Sequence, residues 1–433
     1  MRRLTALAFL TPLTLLSGCS HLSLPHPSLP HLRPYERTTV LRPALANEQS
    51  PLLAANTLRS REAEEGASGA MLEPPPVVQD QRVDLVQQRD DGVTRVVDGT
   101  SLLARANFAG NYSAAFTAGR EQVRESSPDV QDLAGGIYRE DRTRYGLELA
   151  AREGRGRYSL AYLRDSSDDD ATKTLRVGLT QNVFHDQTRI TLAWDRTEQD
   201  LERRGDAAFR GNNERRGYVF GVSHLLTKRL ELSATVEGRS ATGYLADPYR
   251  TVRYLAPTAP GGYARQAERM PDQRSSDALT VRGRYALPGQ SSVGLDYRYY
   301  QDNWGIAAHT VEAEYLYPLG DSLLLEAQLR HHRQDGAYFH QDLLASRGAA
   351  TGFYTRNPAL STLQATGASL GFQWKFLRSH WKGIDGGTLF GRLEHRRQRY
   401  DDYLDVRTGL APGTEPQYRG RVTQLQLGAS LRF

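Results

Sequence analysis

Cysteine is nearly missing from this sequence: Cys19 is the only one in 433 residues. A lone thiol excludes a disulfide framework and a thiolate metal cluster. Long apolar runs are missing too. Mean hydropathy is -0.57, and no uninterrupted apolar stretch approaches the roughly 20 residues that a membrane helix needs. Charge of one sign is not in excess either, since 55 basic and 50 acidic residues leave a formal +5. No basic cluster with interleaved aromatics stands apart from its acidic neighbours, so nucleic acid is not an expected partner.

What the sequence does have is period-2 alternation. It ends in LQLGASLRF, where Thr423, Leu425, Leu427, Ala429, Leu431 and Phe433 share one parity and Gln424, Gln426, Gly428, Ser430 and Arg432 the other. That is a strand with one apolar and one polar face. The pattern recurs upstream, in Tyr145-Leu147-Leu149, Tyr158-Leu160-Tyr162, Ile190-Leu192-Trp194 and Leu370-Phe372-Trp374-Phe376 among others. Starting from Phe108, Tyr112 and Phe116, the count is about fourteen strands, with roughly 12 to 16 compatible, an even number as bacterial barrels require. The 22 tyrosines and 39 glycines suit aromatic girdles and tight turns. The C-terminal strand resembles the assembly signal of bacterial outer-membrane barrels, which implies that the barrel assembly machinery recognises Phe433.

Short connections, such as Glu153 to Gly156 and Pro288 to Ser291, alternate with mostly longer polar ones. The long ones are Ala118 to Arg142, Asp195 to Gly217, Ser240 to Ser275, Arg333 to Ser361 and Gln398 to Gly420. Short turns on one rim and long loops on the other are the outer-membrane pattern, with the short side in the periplasm. The expected fold is all-β: an antiparallel transmembrane β-barrel over residues 99–433.

The other parity of these strands is charged. It includes Arg282, Arg284, Asp296, Arg298, Glu312, Glu314, Glu326 and Arg330. A basic side chain facing lipid at the bilayer midplane costs on the order of 2 to 4 kcal/mol, so these residues must line the lumen. They form either a ladder of pairs that braces the wall or a lining that selects a charged solute. The connection from Ser240 to Ser275 carries Pro248, Pro257 and Pro260, which reduce the entropy lost on ordering. It is expected to fold inward and constrict the lumen. Tyr249, Arg250, Arg253 and Tyr254 are then lumen or ligand candidates, with Arg250 and Arg253 pairing to Asp296, Glu312, Glu314 and Glu326.

At the other end, Arg2 and Arg3 precede the apolar stretch Leu4 to Leu16, followed by Ser17-Gly18-Cys19-Ser20. A basic start and a short apolar core predict a secretory signal over residues 1–18. The LSGC ending resembles the bacterial lipoprotein signal, which implies acylation of Cys19, and acyl chains would anchor the N-terminus. Ser20 by the same resemblance favours the outer membrane. Residues 19–98 read as a disordered periplasmic tether, rich in proline and charge with little apolar periodicity.

Longer stretches resemble known families. DPYRTVRY (Asp247 to Tyr254), DQRSSDAL (Asp272 to Leu279), DYRYYQDNWGIAAHTVEAEY (Asp296 to Tyr315) and QDGAYFHQDL (Gln334 to Leu343) resemble an outer-membrane barrel family, domain of unknown function 3570, over roughly Gly99 to Phe433. RPYERTTVLRP (Arg33 to Pro43) and SREAEEGASG (Ser60 to Gly69) resemble a small lipoprotein family, domain of unknown function 4266. The glycine- and cysteine-rich tail of that family is replaced here by MLEPPPVVQD. The resemblance implies a fusion of two neighbouring genes and, through further neighbours of thioredoxin and flavin-transferase type, a periplasmic redox partner.

No catalytic residue emerges. Ser223 and His224 are adjacent, and adjacent strand residues point to opposite faces, so the chain is not expected to be an enzyme. Neither a cofactor nor a metal is expected. His21, His26 and His31, the acidic run Asp165 to Asp170, and His331, His332 and His340 with Asp335 and Asp342 are the metal alternatives, and each reads more simply as solvated surface or wall. Three functions remain: a lipid-anchored outer-membrane channel or transporter for a small charged solute, a membrane scaffold for an extracytoplasmic redox system, and, last, an outer-membrane hydrolase.

Overall fold

A computed structural model describes residues 81–377 and 383–433. Cys19, the signal sequence and the tether as far as residue 80 lie outside the described residues.

Sixteen strands form one closed antiparallel barrel. The first half comprises β1 (Arg82–Gly92), β2 (Arg95–Phe108), β3 (Tyr112–Glu125), β4 (Tyr138–Glu153), β5 (Gly156–Ser166), β6 (Asp170–Val183), β7 (Thr188–Arg203) and β8 (Asp206–Leu225). The second comprises β9 (Leu230–Gly243), β12 (Gln273–Ala286), β13 (Ser292–Asp302), β14 (Ala307–Leu319), β15 (Leu323–Gln334), β17 (Leu363–Leu377), β18 (Gly386–Leu404) and β19 (Gln417–Arg432). Each strand pairs with its neighbour in this order, and β1 closes on β19 from Arg82↔Arg432 to Gly92↔Val422. Three further strands, β10 (Thr251–Leu255), β11 (Tyr263–Ala267) and β16 (Leu343–Leu344), make a small separate sheet. A helix, α1 (Pro128–Ala134), lies between β3 and β4.

The fourteen alternating segments are all present, and the two additional strands are β1 and β2. The barrel therefore starts at Arg82 rather than at residue 99, and residues 82–98 are wall, not tether. Their outward positions explain the difference. Val83 and Leu85 give way to Gln87, Arg89 and Asp91, and on β2 Asp98 and Thr100 precede Leu102, so apolar alternation covers only part of each strand. Pairing to β19 makes up what pattern lacks.

Several expected loops are also wall. The stretch Asp195 to Gly217 belongs to β7 and β8, which continue to a turn at Arg204 and Gly205, where Gly205 has φ +83°. Only glycine adopts such a φ without a steric penalty. The outward faces there carry Arg196, Glu198, Glu214 and Arg216, so the wall rises beyond its apolar zone.

That zone surrounds the barrel. Leu147, Leu160, Val177, Leu192, Phe220, Val236, Val281, Leu295, Val311, Leu329, Leu370, Leu393 and Leu427 all point outward and exposed. Tyr158, Tyr285, Tyr317, Trp374 and Phe433 lie towards the rim of short turns. A closed sheet with every backbone group paired and an apolar outer surface is what a bilayer demands of strands, so this surface faces lipid. Packing within the wall uses glycine: a Cβ on Gly391 would lie 2.6 Å from the Phe372 ring and 2.8 Å from Leu427. An aromatic ring thus covers a bare stretch of the neighbouring strand.

Candidate functional site

At the rim where the long connections emerge, four of them fold over the strand ends and meet. The connection between β9 and β12 supplies β10 and β11, that between β15 and β17 supplies β16, and β10 pairs with both β11 and β16. The connection between β3 and β4 supplies α1. Its start is written locally: the Ser127 side chain caps the Asp129 N–H, Pro128 follows, and Gly135 ends the helix in the left-handed region.

Asp129 is completely buried, and three groups converge on its carboxylate: Arg356, Arg265 at 2.8 Å and the Tyr403 hydroxyl at 2.7 Å. Thr251 donates to its backbone carbonyl at 2.8 Å. Arg356 also donates to Asp342 at 2.9 Å and stacks over the Tyr403 ring at 4.1 Å. Asp342 in turn takes Arg253, whose guanidinium also pairs with Glu415 in the connection between β18 and β19. Three arginines (Arg253, Arg265, Arg356) face three carboxylates (Asp129, Asp342, Glu415), so the cluster is neutral. Burial pushes the Asp129 carboxyl up, but Arg356, Arg265 and Tyr403 outweigh it and hold it below its ordinary value.

Two apolar clusters lie on the inner wall beneath this cap, and the second joins wall to connections. Leu363 and Ala365 of β17, Tyr400 and Tyr403 of β18 and Tyr418 of β19 form one cluster. Ala278, Tyr300 and Ala308 of the wall join Trp304, Ile306, Ala337, Phe339 and Leu360 in another.

Beside the cap, above β3 to β8, lies a small polar cavity of about 70 Å³. Arg95, Arg142, Arg215 and Arg250 line it, with Glu125, Glu140, Asp169 and Asp170 and the rings of Tyr138, Tyr244 and Tyr249. Tyr249 accepts the Arg204 N–H at 2.6 Å, and burial pushes its hydroxyl up to about 12. Arg250 is buried 3.5 Å from Glu125. Glu268, also buried, accepts from the Asp247 N–H at 2.8 Å and the Thr355 hydroxyl at 2.5 Å, and its burial holds the carboxyl at about 8.

The candidates drawn from the sequence thus divide. Tyr249, Arg250, Arg253 and Tyr254 sit in the cap, but Arg250 and Arg253 do not reach Asp296, Glu312, Glu314 or Glu326. Their partners are carboxylates of the rim and of other connections. The wall charges pair among themselves: Arg282 with Asp296 at 2.7 Å, Arg284 with Glu314 at 3.7 Å, Arg298 with Glu237 at 2.7 Å and Glu326 with Arg392 at 3.1 Å. Glu312 accepts from Gln328, and Arg330 stands opposite Glu312 across β14 and β15. Sequence reading missed Asp129, Arg356 and Glu415, and it raised Asp342 only as a metal alternative rather than as a partner of Arg253 and Arg356. Only Asp129 carried a local signal, the capped start Ser127-Pro128.

Among the described residues the metal alternatives are not brought together, and His21, His26 and His31 lie outside them. His331 and His332 lie on opposite faces of β15, bonded to Thr366 and Thr310 respectively, and His340 is buried near Asp402. In the acidic run, Asp165 pairs with Arg144 and Asp169 with Arg204. His224 bonds Thr188 at 2.8 Å.

The sequence profile of a family described as Protein of unknown function (DUF3570) matches residues 155–406, more than half of the chain. No curated protein matches in sequence. Among solved structures, CdiB from Acinetobacter baumannii is similar at 8% identity and TM-score 0.42, covering 81% of this chain and 60% of its own, so the chain spans about three fifths of that protein. OmpT, an outer-membrane protein of Vibrio cholerae in its trimer form, is similar at 12% identity and TM-score 0.37, covering 82% and 98%. The outer-membrane protein opdK from Pseudomonas aeruginosa is similar at 10% identity and TM-score 0.39, covering 82% and 100%.

Proposed function

The chain belongs to the family described as Protein of unknown function (DUF3570), and on that premise we propose that it is an outer-membrane barrel that passes a small charged solute through a lumen closed at rest by its cap. The observation that carries this reading is the meeting of four connections in one neutral, buried cluster around Asp129, Arg253 and Arg356. A structure that needed only to stay open would have no use for gathering six charges at its mouth, four of them buried. The paired charges of the wall leave a polar lining that suits a hydrated ion or small polar solute. Catalysis forms no part of this reading.

The short turns face the periplasm and the cap faces outward. Both ends of the described wall support this, because the Phe433 N–H donates to the Gln81 carbonyl at 3.1 Å on the short-turn rim. A tether anchored through an acylated Cys19 would enter there, and any periplasmic partner would be met on that side.

Planar-bilayer conductance tests the proposal. The intact protein should give small, flickering currents, and removal of Asp247 to Gln273 should raise them clearly. Large steady currents from the intact protein, unchanged by the deletion, would overturn it.

A further inference from the structure

Just above the apolar zone, the outward wall becomes basic. On β18 the outward series runs Leu389, Leu393, His395, Arg397, Arg399, and on β19 it runs Leu427, Leu425, Thr423, Arg421, Arg419. The register sets Arg397 opposite Arg421 and Arg399 opposite Arg419. All four are exposed. Arg333 continues the row on β15, across Gln364 of β17. Like charges facing each other across a strand pair are destabilising, and here two such pairs stand in succession.

Elsewhere at this level Arg124 faces Arg139 across β3 and β4 as a single such pair, while other outward arginines have a carboxylate beside them. Arg196 and Arg216 also face each other, but Glu214 bridges them at 2.7 and 2.5 Å. Arg89 has Asp98 at 3.0 Å, and Arg120 has Asp141 at 3.6 Å. In the β18 and β19 sector the acidic neighbours are Asp401, 3.6 Å from Arg399, and Asp91 on β1 opposite Thr423. They do not balance the four arginines of these two strands.

We propose that the arginine quartet Arg397, Arg399, Arg419 and Arg421 binds the phosphate groups of a phosphorylated glycolipid in the outer leaflet. Three observations select this occupant. The quartet follows Leu393 and Leu425 after one intervening outward pair, His395 and Thr423, at the height of lipid headgroups rather than of bulk solvent. It is made of arginine, whose planar fork grips phosphate oxygens in pairs. Its facing positions repel one another unless an anion lies between them. The inference rests on the orientation proposed above, because the opposite orientation would put these residues at phospholipid headgroups of the inner leaflet.

The test compares the wild-type barrel with two double variants, Arg397→Gln/Arg421→Gln and Arg399→Gln/Arg419→Gln, all purified in detergent. Bisphosphorylated lipid A, its dephosphorylated form and phosphatidylglycerol are added in mixed micelles, and binding is read by native mass spectrometry and thermal shift. Wild type should bind the bisphosphorylated glycolipid at least tenfold more tightly than either other lipid, and each double variant should lose about tenfold. If one variant fails to fold, the other and an Arg399→Lys variant, which keeps charge but loses the fork, carry the comparison. Equal binding by wild type and variants, or no preference for the phosphates, would overturn the proposal. Preference for phosphatidylglycerol would overturn the glycolipid and point to the inner leaflet. Labelling of rim cysteines from outside the cell tests the orientation separately.

Discussion

The guanidinium of Arg356 and the carboxylate of Asp129, 227 residues apart in the chain, form an ion pair in which both side chains are sealed from solvent. Asp129 belongs to the second outer connection of the barrel's first half and Arg356 to a connection of its second half, so the pair fastens one side of the mouth to the other. Removing one member of a buried pair leaves the other charged and uncompensated, at a cost of about 3 to 5 kcal/mol. Asp129→Asn and Arg356→Gln should each release the cap while the wall remains assembled. Faster tryptic cleavage within residues 244–272, with an unchanged heat-modifiable barrel band on gels, is the expected result. Cleavage at the wild-type rate would show that the pair does not hold the cap.

Two carboxyls give the cap opposite responses to pH. Burial holds Glu268 at about 8 against an ordinary 4.5, so the folded cap keeps a proton that the released cap loses. Its contribution is fully present below pH 4.5 and disappears as pH rises through 8. Asp129 is held below its ordinary 3.8, so its contribution is present above pH 3.8 and disappears only as pH falls further. The cap should therefore loosen between pH 5 and 9, and Glu268→Gln should flatten that slope. Cleavage rates in the cap, referenced at each pH to an unstructured peptide, measure it. A slope unchanged by Glu268→Gln would exclude this residue as its source.

Inside the wall, Phe390 lies over Gly428 of the next strand, where a Cβ would clash with the ring and also come within 2.8 Å of the Leu85 backbone oxygen. A side chain can swing away, but a paired backbone cannot. Gly428→Ala should cost about 1 to 3 kcal/mol through overpacking, seen as a lower unfolding temperature or poorer assembly. Wild-type stability would mean that the three strands shift together without cost.

Topology is open to direct labelling. Thr258 in the cap and Gln290 in a short turn are both exposed and belong to opposite rims. A cysteine at Thr258 should react with an impermeant maleimide on intact cells, and one at Gln290 should not. The reverse pattern would invert the orientation.

How much of this could be read from the chain follows from where each signal resides. Strand positions such as Leu370, Phe372 and Trp374 announce themselves because every second residue meets lipid, and that pattern is local. β1 and β2 were obscure because Arg89, Asp91 and Asp98 point outward above the lipid, where alternation carries no polarity. The same cause hid the upper parts of β7 and β8. That Arg250 and Arg253 of the connection around Pro248 meet carboxylates was legible, but not which ones. Charge alone offered Arg253 the wall carboxylates, whereas the fold gave it Asp342 and Glu415 from distant connections. No local pattern marks an acidic residue for burial beside an arginine hundreds of positions away.

The pairing of β1 with β19 has a consequence for how the molecule comes into being. Every other contact in the wall joins strands adjacent in the barrel's order along the chain, most of them through short turns, and such local contacts form early. The seam from Arg82↔Arg432 to Gly92↔Val422 joins the first strand to the last and cannot form until all the others are in place. Until then both edges carry unpaired backbone groups that could recruit any other strand. The interval before closure is thus the moment of greatest vulnerability, and the identity of whatever shields those two edges decides whether the chain becomes a barrel or an aggregate.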